Sequence, residues 1–292
     1  MKSAPPIAIE DIILANDRRG VSALRPYLPA HFCLQAGAFM LAHRGTVFIA
    51  TGFYILAAGA PETDGPPGAV ALGNALEALG YRVVYVSDRY CAPVIQGLAS
   101  PSAEVVDFPI APPEASRAFA QDLLRRYAPS LLVSTERCGL TRQGVYRNMR
   151  GVDITPYTAR LDDLFTQHPA TVGIGDGGNE IGMGTVAEVI PLIPALPKDP
   201  AVTPTTHLVI ASVSNWGCYG VVTALSLLSW RNLLPSPEEE MERIRATVRL
   251  GAVDGITGRP EPSVDSFSLE ENRQVVSRLH AWLRAQGIAP KG

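Results

Sequence analysis

Near the start of the chain the apolar residues fall at helical spacing. Ile9, Ile12 and Ile13 are followed by Leu34, Ala38 and Leu41, so residues 7–44 are expected to be helical. The pattern changes at residue 46. TVFIAT (46–51) is a short, β-branched, uninterrupted apolar run, as expected of a strand buried on both faces. A loop rich in glycine and proline (59–68) leads to GAVALGNALEALG (68–80), a helix that should stop at Gly80. The unit then recurs. Strands are predicted over 81–87, 103–108, 130–136, 170–175 and 206–212. Helices are predicted after Asp88, over 113–127 and 157–167, directly after the glycine-rich turn at 175–184, and over 216–232, 237–250 and 269–286.

Strands alternating with helices build a parallel sheet covered on both faces. The expected fold is α/β: a three-layer sandwich with a mostly parallel sheet of about six strands and extra helices at both ends. No linker-like change in composition divides the chain. Residues 1–292 are therefore expected as one α/β domain, with 1–44 a helical segment packed on it.

Composition narrows the function. With 25 basic and 28 acidic residues the net charge is −3, so neither nucleic acid nor a membrane surface is an expected partner. Glu10 and Asp11 interrupt the N-terminus too early for a signal peptide. The uncharged runs 45–61 and 200–230 are broken by glycine, proline and polar residues, and a spanning helix needs about 20 mostly apolar residues. A cytoplasmic protein is expected, with apolar end helices that suit a homo-oligomer. Lysine occurs only at positions 2, 198 and 291, which argues against a Schiff base and pyridoxal phosphate. The four cysteines (33, 91, 138 and 218) lack metal-ligand spacing, and the histidines do too. The turn GDGGNEIGMG (175–184) is not GxGxxG and no Walker lysine follows it, so NAD is not expected.

Ligands of open parallel sheets bind outside the carboxyl ends of the strands. Those ends offer Thr51, Gly52, Glu62 and Asp64 after the first strand, Asp88 after the second, and Glu136 and Arg137 after the fourth. They offer Asp176, Gly177, Gly178, Asn179 and Glu180 after the fifth, then Asn215 after the sixth. The glycine-rich turn could aim N–H groups from a helix N-terminus at an anion; equally, Asp176 or Asn179 could simply cap that helix. Arg137, Arg142, Arg147 and Arg150 crowd one long polar connection, and arginine grips carboxylates through a bidentate fork. Any metal would need carboxylate ligands, which suits Mg or Mn, with Asp176, Glu136 and Asp88 as candidates.

Several segments together resemble the D-glutamate cyclase family, in a stand-alone bacterial form matching the C-terminal domain of the animal mitochondrial enzymes. They are TGF (51–53), PETDGPPGA (61–69), ER (136–137), NMRG (148–151), DI (153–154), GDGGNEIGMG (175–184), NWG (215–217) and GAVDGITG (251–258). The resemblance runs from about residue 7 to 287. Two positions depart from it: Ser266 stands where glycine is expected, and Cys138 where proline or a small residue is.

The resemblance implies that D-glutamate loses water to give 5-oxo-D-proline, a hydro-lyase reaction in D-amino acid metabolism. At neutral pH the amine is a cation and the γ-carboxylate an anion, so nucleophile and electrophile are both switched off. The reaction needs a base for the ammonium, an acid for the departing oxygen, oxyanion donors and a carboxylate clamp. Glu136 or Asp176 is the expected base, and Glu180 or Glu62 the expected acid. Arg137 or Arg150 is the expected clamp, and the N–H groups of Gly177, Gly178 and Asn179 are the expected anion donors. Thr51, Gly52, Asp64, Asn148 and Asn215 are further expected substrate contacts. A divalent cation shared by two carboxylates could replace the acid. Alternatives from the residues are another carboxylate-acting lyase, a lactam hydrolase, or a non-catalytic binder of small dicarboxylates.

Overall fold

The computed structural model describes residues 7–289; the expected domain's outermost residues, 1–6 and 290–292, lie outside it. Six strands form one all-parallel sheet: β1 (Thr46–Thr51), β4 (Arg82–Ser87), β5 (Glu104–Asp107), β6 (Leu131–Thr135), β7 (Thr171–Gly175) and β8 (His207–Ile210). Two-residue strands β2 (Tyr54–Ile55) and β3 (Ala60–Pro61) make a separate antiparallel hairpin.

Side chains of alternate strand residues face opposite ways, and the core divides accordingly. Val47, Ile49, Tyr85 and Val133 join the larger apolar layer. That layer also takes in α1 (Ile9–Ile13), α2 (Phe32–Ala42), α3 (Pro66–Ala78), α4 (Ala92–Leu98), α7 (Ser214–Ser229) and α9 (Leu269–Ala285). Phe48, Ala50, Val84 and Leu132 face the smaller layer, under α5 (Pro113–Tyr127) and the single turn α6 (Asp162–Phe165). The amphipathic α8 (Pro237–Arg249) packs on α9 and begins at a capping box formed by Ser236 and Glu239. This is the expected three-layer arrangement. No helix among the described residues is long and apolar enough to cross a membrane.

Three helical expectations are corrected. Residues 157–167 give only a 3-10 turn at Thr155–Tyr157 and the short α6. No α-helix follows the glycine-rich turn; 3-10 turns occur at Gly184–Val186 and Ile190–Leu192. The N-terminal segment is also broken, into α1, a 3-10 stretch (Val21–Tyr27) and α2. Between α1 and that stretch lies a polar loop that proves central.

The strand order is β5-β4-β1-β6-β7-β8, so the chain runs outward in both directions from the β1–β6 pair. A crevice opens beyond the carboxyl ends of strands at such a reversal. Here it is flanked by Thr51, ending β1, and Glu136, following β6.

Candidate active site

The loops around this crevice are fastened by two helix N-termini that cap each other. Asp64, just before α3, accepts the N–H groups of Ser214 and Asn215 at the start of α7, both at 2.8 Å. Asn215 returns the contact, its Oδ1 accepting the N–H groups of Gly65 (3.0 Å) and Gly68 (2.7 Å) at the start of α3. Gly65 has φ +94°, and a β-carbon there would lie 2.6 Å from Thr51 Oγ1 and 2.8 Å from Glu136 Cβ. The glycine lets the α3 entry press against both strand ends. Asp64 and Asn215, expected as substrate contacts, thus act as fasteners in this structure.

Beneath the crevice, Glu62, Asp64, Glu136, Asp176 and Asp265 are all buried. Arg19, from the loop after α1, reaches in among them. Its Nη1 pairs with Asp176 Oδ1, and its Nη2 lies 2.7 Å from Asp265 Oδ2. Glu136 accepts the Ser214 hydroxyl at 2.6 Å. Its backbone sits at φ +42°, a left-handed conformation unusual for a residue with a side chain. Asp265 (φ +52°) and Ser266 (φ +65°) share this conformation. Ser266 therefore occupies a position whose geometry suits the glycine that the resemblance expects, and its N–H is held by Asp254 at 2.7 Å. Gly255 lies against Glu62: a β-carbon there would come within 2.1 Å of Glu62 Oε2.

Several polar atoms in this cluster have no hydrogen-bond partner, among them Thr51 Oγ1, Glu62 Oε1, Asp176 Oδ2 and Asp265 Oδ1, whereas Asp265 Oδ2 is held by Arg19. Burial and mutual repulsion set the charge. Burial, then Glu136 and Asp265, push the Glu62 carboxyl well above the usual range. Burial, then Glu180 and Asp64, do the same to Glu136. Asp176 is raised well above its usual value by burial, against the pull of Arg19. Burial brings Asp64 to about 7, and Asp265 is also raised by burial. The cluster thus combines proton acceptors with groups inclined to keep their protons.

A cleft of about 230 Å³ opens onto this floor. Arg19, Glu62, Glu136 and Asn179 line its polar side; Asn148, Met149 and Arg150 form one lip; Ile55, Leu56 and Ile256 form an apolar lip. Two carboxylate groups could hold a divalent cation, each with its ligand atoms within 4.8 Å of one another: Asp64, Asp176 and Asp265, or Glu136, Asp176 and Glu180. Asp88, the third metal candidate from the sequence, belongs to neither.

The structure redirects several other expectations. Arg137 is buried and spent: Asp88 takes its Nη1 at 2.6 Å, Gly52 carbonyl the same nitrogen at 2.9 Å, and Ala159 carbonyl its Nη2 at 2.8 Å. It cannot clamp a ligand in this arrangement. Arg150 is exposed and lines the cleft mouth. The anion nest of the glycine-rich turn is filled from within. The N–H groups of Asp176 (3.0 Å), Gly177 (2.6 Å) and Gly178 (2.7 Å) all donate to the Glu180 carboxylate. Gly177 and Gly178 therefore offer no N–H to an oxyanion, and both Glu180 oxygens are engaged, which removes it as a free acid. Asn179 reaches the cleft with its amide tied to Arg147 carbonyl at 3.0 Å. Asn148 Oδ1 holds its own loop through the N–H groups of Arg150 and Val152. Gly52 faces Cys91, where a β-carbon would lie 2.5 Å away, and does not line the cleft. Cys138 is buried and its thiol is pushed up by burial, so it offers no ready nucleophile.

Sequence reasoning missed Arg19 as a site residue, along with Asp265 and Asp254; Ser214 stands among the groups that follow the sixth strand but had no role assigned. The only local signal for Arg19 was the turn-forming run NDRRG (16–20), which does not say which arginine turns inward.

The D-glutamate cyclase-like C-terminal family model matches residues 9–280. A human protein, mitochondrial D-glutamate cyclase, is 30% identical, over 80% of this chain and 45% of its own length. The chain thus spans about half the length of that relative.

Proposed function

This chain belongs to the D-glutamate cyclase-like family, and from that premise we propose that it cyclises D-glutamate to 5-oxo-D-proline and water. One observation carries the reading: a group of buried carboxyls with unpartnered oxygens, gathered around one arginine at the sheet's switch point.

Lactam closure needs a base and an acid close together, and two carboxyls in different surroundings supply both roles. Asp176, buried behind Arg19 and not itself in the cleft lining, takes the ammonium proton. Arg19 on its Oδ1 favours its charged form; its Oδ2 has no N–H or hydroxyl donor, and the Asp265 carboxyl lies within hydrogen-bond reach of Asp176. The amine then attacks the γ-carboxyl carbon. Glu62, held toward its protonated form by burial and by Glu136 and Asp265, gives one proton to the departing oxygen through its free Oε1. The second proton comes from the attacking nitrogen, which loses two in becoming the amide, so the oxygen leaves as water and the proton on Asp176 passes back to Glu62. Glu136, oriented by Ser214, completes the polar wall, and the exposed Arg150 draws the anionic substrate to the mouth. Alternatively, Asp64, Asp176 and Asp265 would hold a manganese or magnesium ion, which would supply Lewis-acid polarisation of the carboxyl group and leave Glu136 as the base.

Proton NMR of the protein with D-glutamate and, separately, L-glutamate, each with and without Mn or Mg, tests this reading. Formation of 5-oxoproline from the D-form is the expected result. No product under any condition sinks the proposal.

A further inference from the structure

We infer that Arg19 is the residue that grips the substrate's α-carboxylate, so the N-terminal loop is a working part of the site; this rests on the cyclase reading above. The geometry of the loop is built to aim this one side chain. The Asp17 carboxylate gathers the N–H groups of Arg19 (2.9 Å), Gly20 (2.8 Å) and Ser22 (2.8 Å), together with the Ser22 hydroxyl. Gly20 turns the chain at φ +83°. Arg18 leaves in the other direction, lying 3.6 Å over the Phe267 ring and pairing with Glu271 at 3.0 Å. The two arginines thus straddle the segment that carries Asp265.

Asp176 and Asp265 brace the Arg19 guanidinium, one on each terminal nitrogen. A guanidinium has five N–H donors in a fixed fork, and two braced nitrogens leave donors over. Arg19 lines the cleft, and its side chain is 18% exposed. Glu136 and Glu62 are the other titratable groups that face it. It is therefore a fixed cation at the floor, where Arg137 is unavailable and Arg150 stands only at the mouth.

The chemistry decides which carboxylate it holds. The γ-carboxyl must lose an oxygen and needs an acid beside it, whereas the α-carboxylate stays charged from substrate to product. A permanent cation suits the group that stays charged.

Substrate and protein can be altered together to test this. D-Isoglutamine replaces the α-carboxylate with a carboxamide and keeps the amine and γ-carboxyl. Binding of D-glutamate and D-isoglutamine is measured by calorimetry, and turnover by NMR, for the wild type, Arg19→Gln and Arg19→Lys. Melting curves check that each variant folds. We expect the wild type to favour D-glutamate by about 10- to 100-fold, the range of a hydrogen-bonded charge. Arg19→Gln should erase that preference, and Arg19→Lys should keep part of it. An undiminished preference in Arg19→Gln, or an equal loss for both ligands, overturns the inference while leaving the cyclase reading intact. Arg19-dependent discrimination without turnover sustains the inference and sinks the cyclase reading. A wild type that binds neither ligand overturns both.

Discussion

Two buried arginines lie near the same carboxyl strand ends in opposite conditions. Arg137 meets Asp88 and two carbonyls, leaving only its Nε unpartnered. Arg19 meets Asp176 and Asp265, yet both aspartates keep unpartnered oxygens, and the group borders an open cleft. Glu136 and Arg137 are sequence neighbours, but one joins the open cluster and the other the closed one. A nearly satisfied ion pair is a fixture of the fold. An under-satisfied one is a place where a ligand or proton can still be received, since leaving such groups bare costs free energy.

The comparison breaks if the two regions respond alike. The largest effect is expected for Asp176→Asn. Turnover should fall by about 10³-fold or more, because the base is gone, with melting temperature nearly unchanged. Steady-state rates and thermal melts would check it, and full activity would remove Asp176 from the mechanism. Arg137→Met should do the reverse. It leaves Asp88 buried without its partner, so about 3–5 kcal/mol of stability should be lost in urea titration.

A pH series sharpens the contrast. The cluster's carboxyls bind protons more tightly folded than unfolded. Their stabilisation is therefore present below about pH 4 and is lost as pH rises, for Asp64 through about 7. Each such group contributes a slope of up to about 1.4 kcal/mol per pH unit. Melting temperature should fall between these values, and Asp64→Asn should flatten the slope while lowering overall stability. The smallest effect is expected from Ser266→Gly. Relief of the left-handed backbone should raise stability by up to about 1 kcal/mol, visible as a small rise in melting temperature.

What was legible in the sequence follows how local each signal is. The strands of the sheet announced themselves because buried parallel strands are short, apolar and β-branched, and α5 runs over the expected residues 113–127. Asp176, Glu136 and Glu62 could be picked because they follow strands whose ends converge. Arg19 could not, since its contacts with Asp176 and Asp265 span more than 150 residues and its loop shows no periodicity. The role of Arg137 was misread for the same reason: nothing in ERCG reveals that Asp88 waits across the sheet. The missing helix after β7 has a local cause. Glu180 satisfies the N–H groups that a helix start would otherwise present, and the chain goes on in 3-10 turns.

That carboxylate has one further consequence. A glycine turn at a strand end is where many proteins dock phosphate, and phosphorylated metabolites and free phosphate are abundant rivals for any anion receptor. Here the receptor carries its own permanent occupant, supplied from two to four residues away in the same turn. The contact is local in sequence, and the turn is held in addition by Gly139 N–H on Asn179 carbonyl and Ile181 N–H on Arg137 carbonyl. The N–H groups of Asp176, Gly177 and Gly178 are thereby already spent, and this turn has none of them left to offer phosphate.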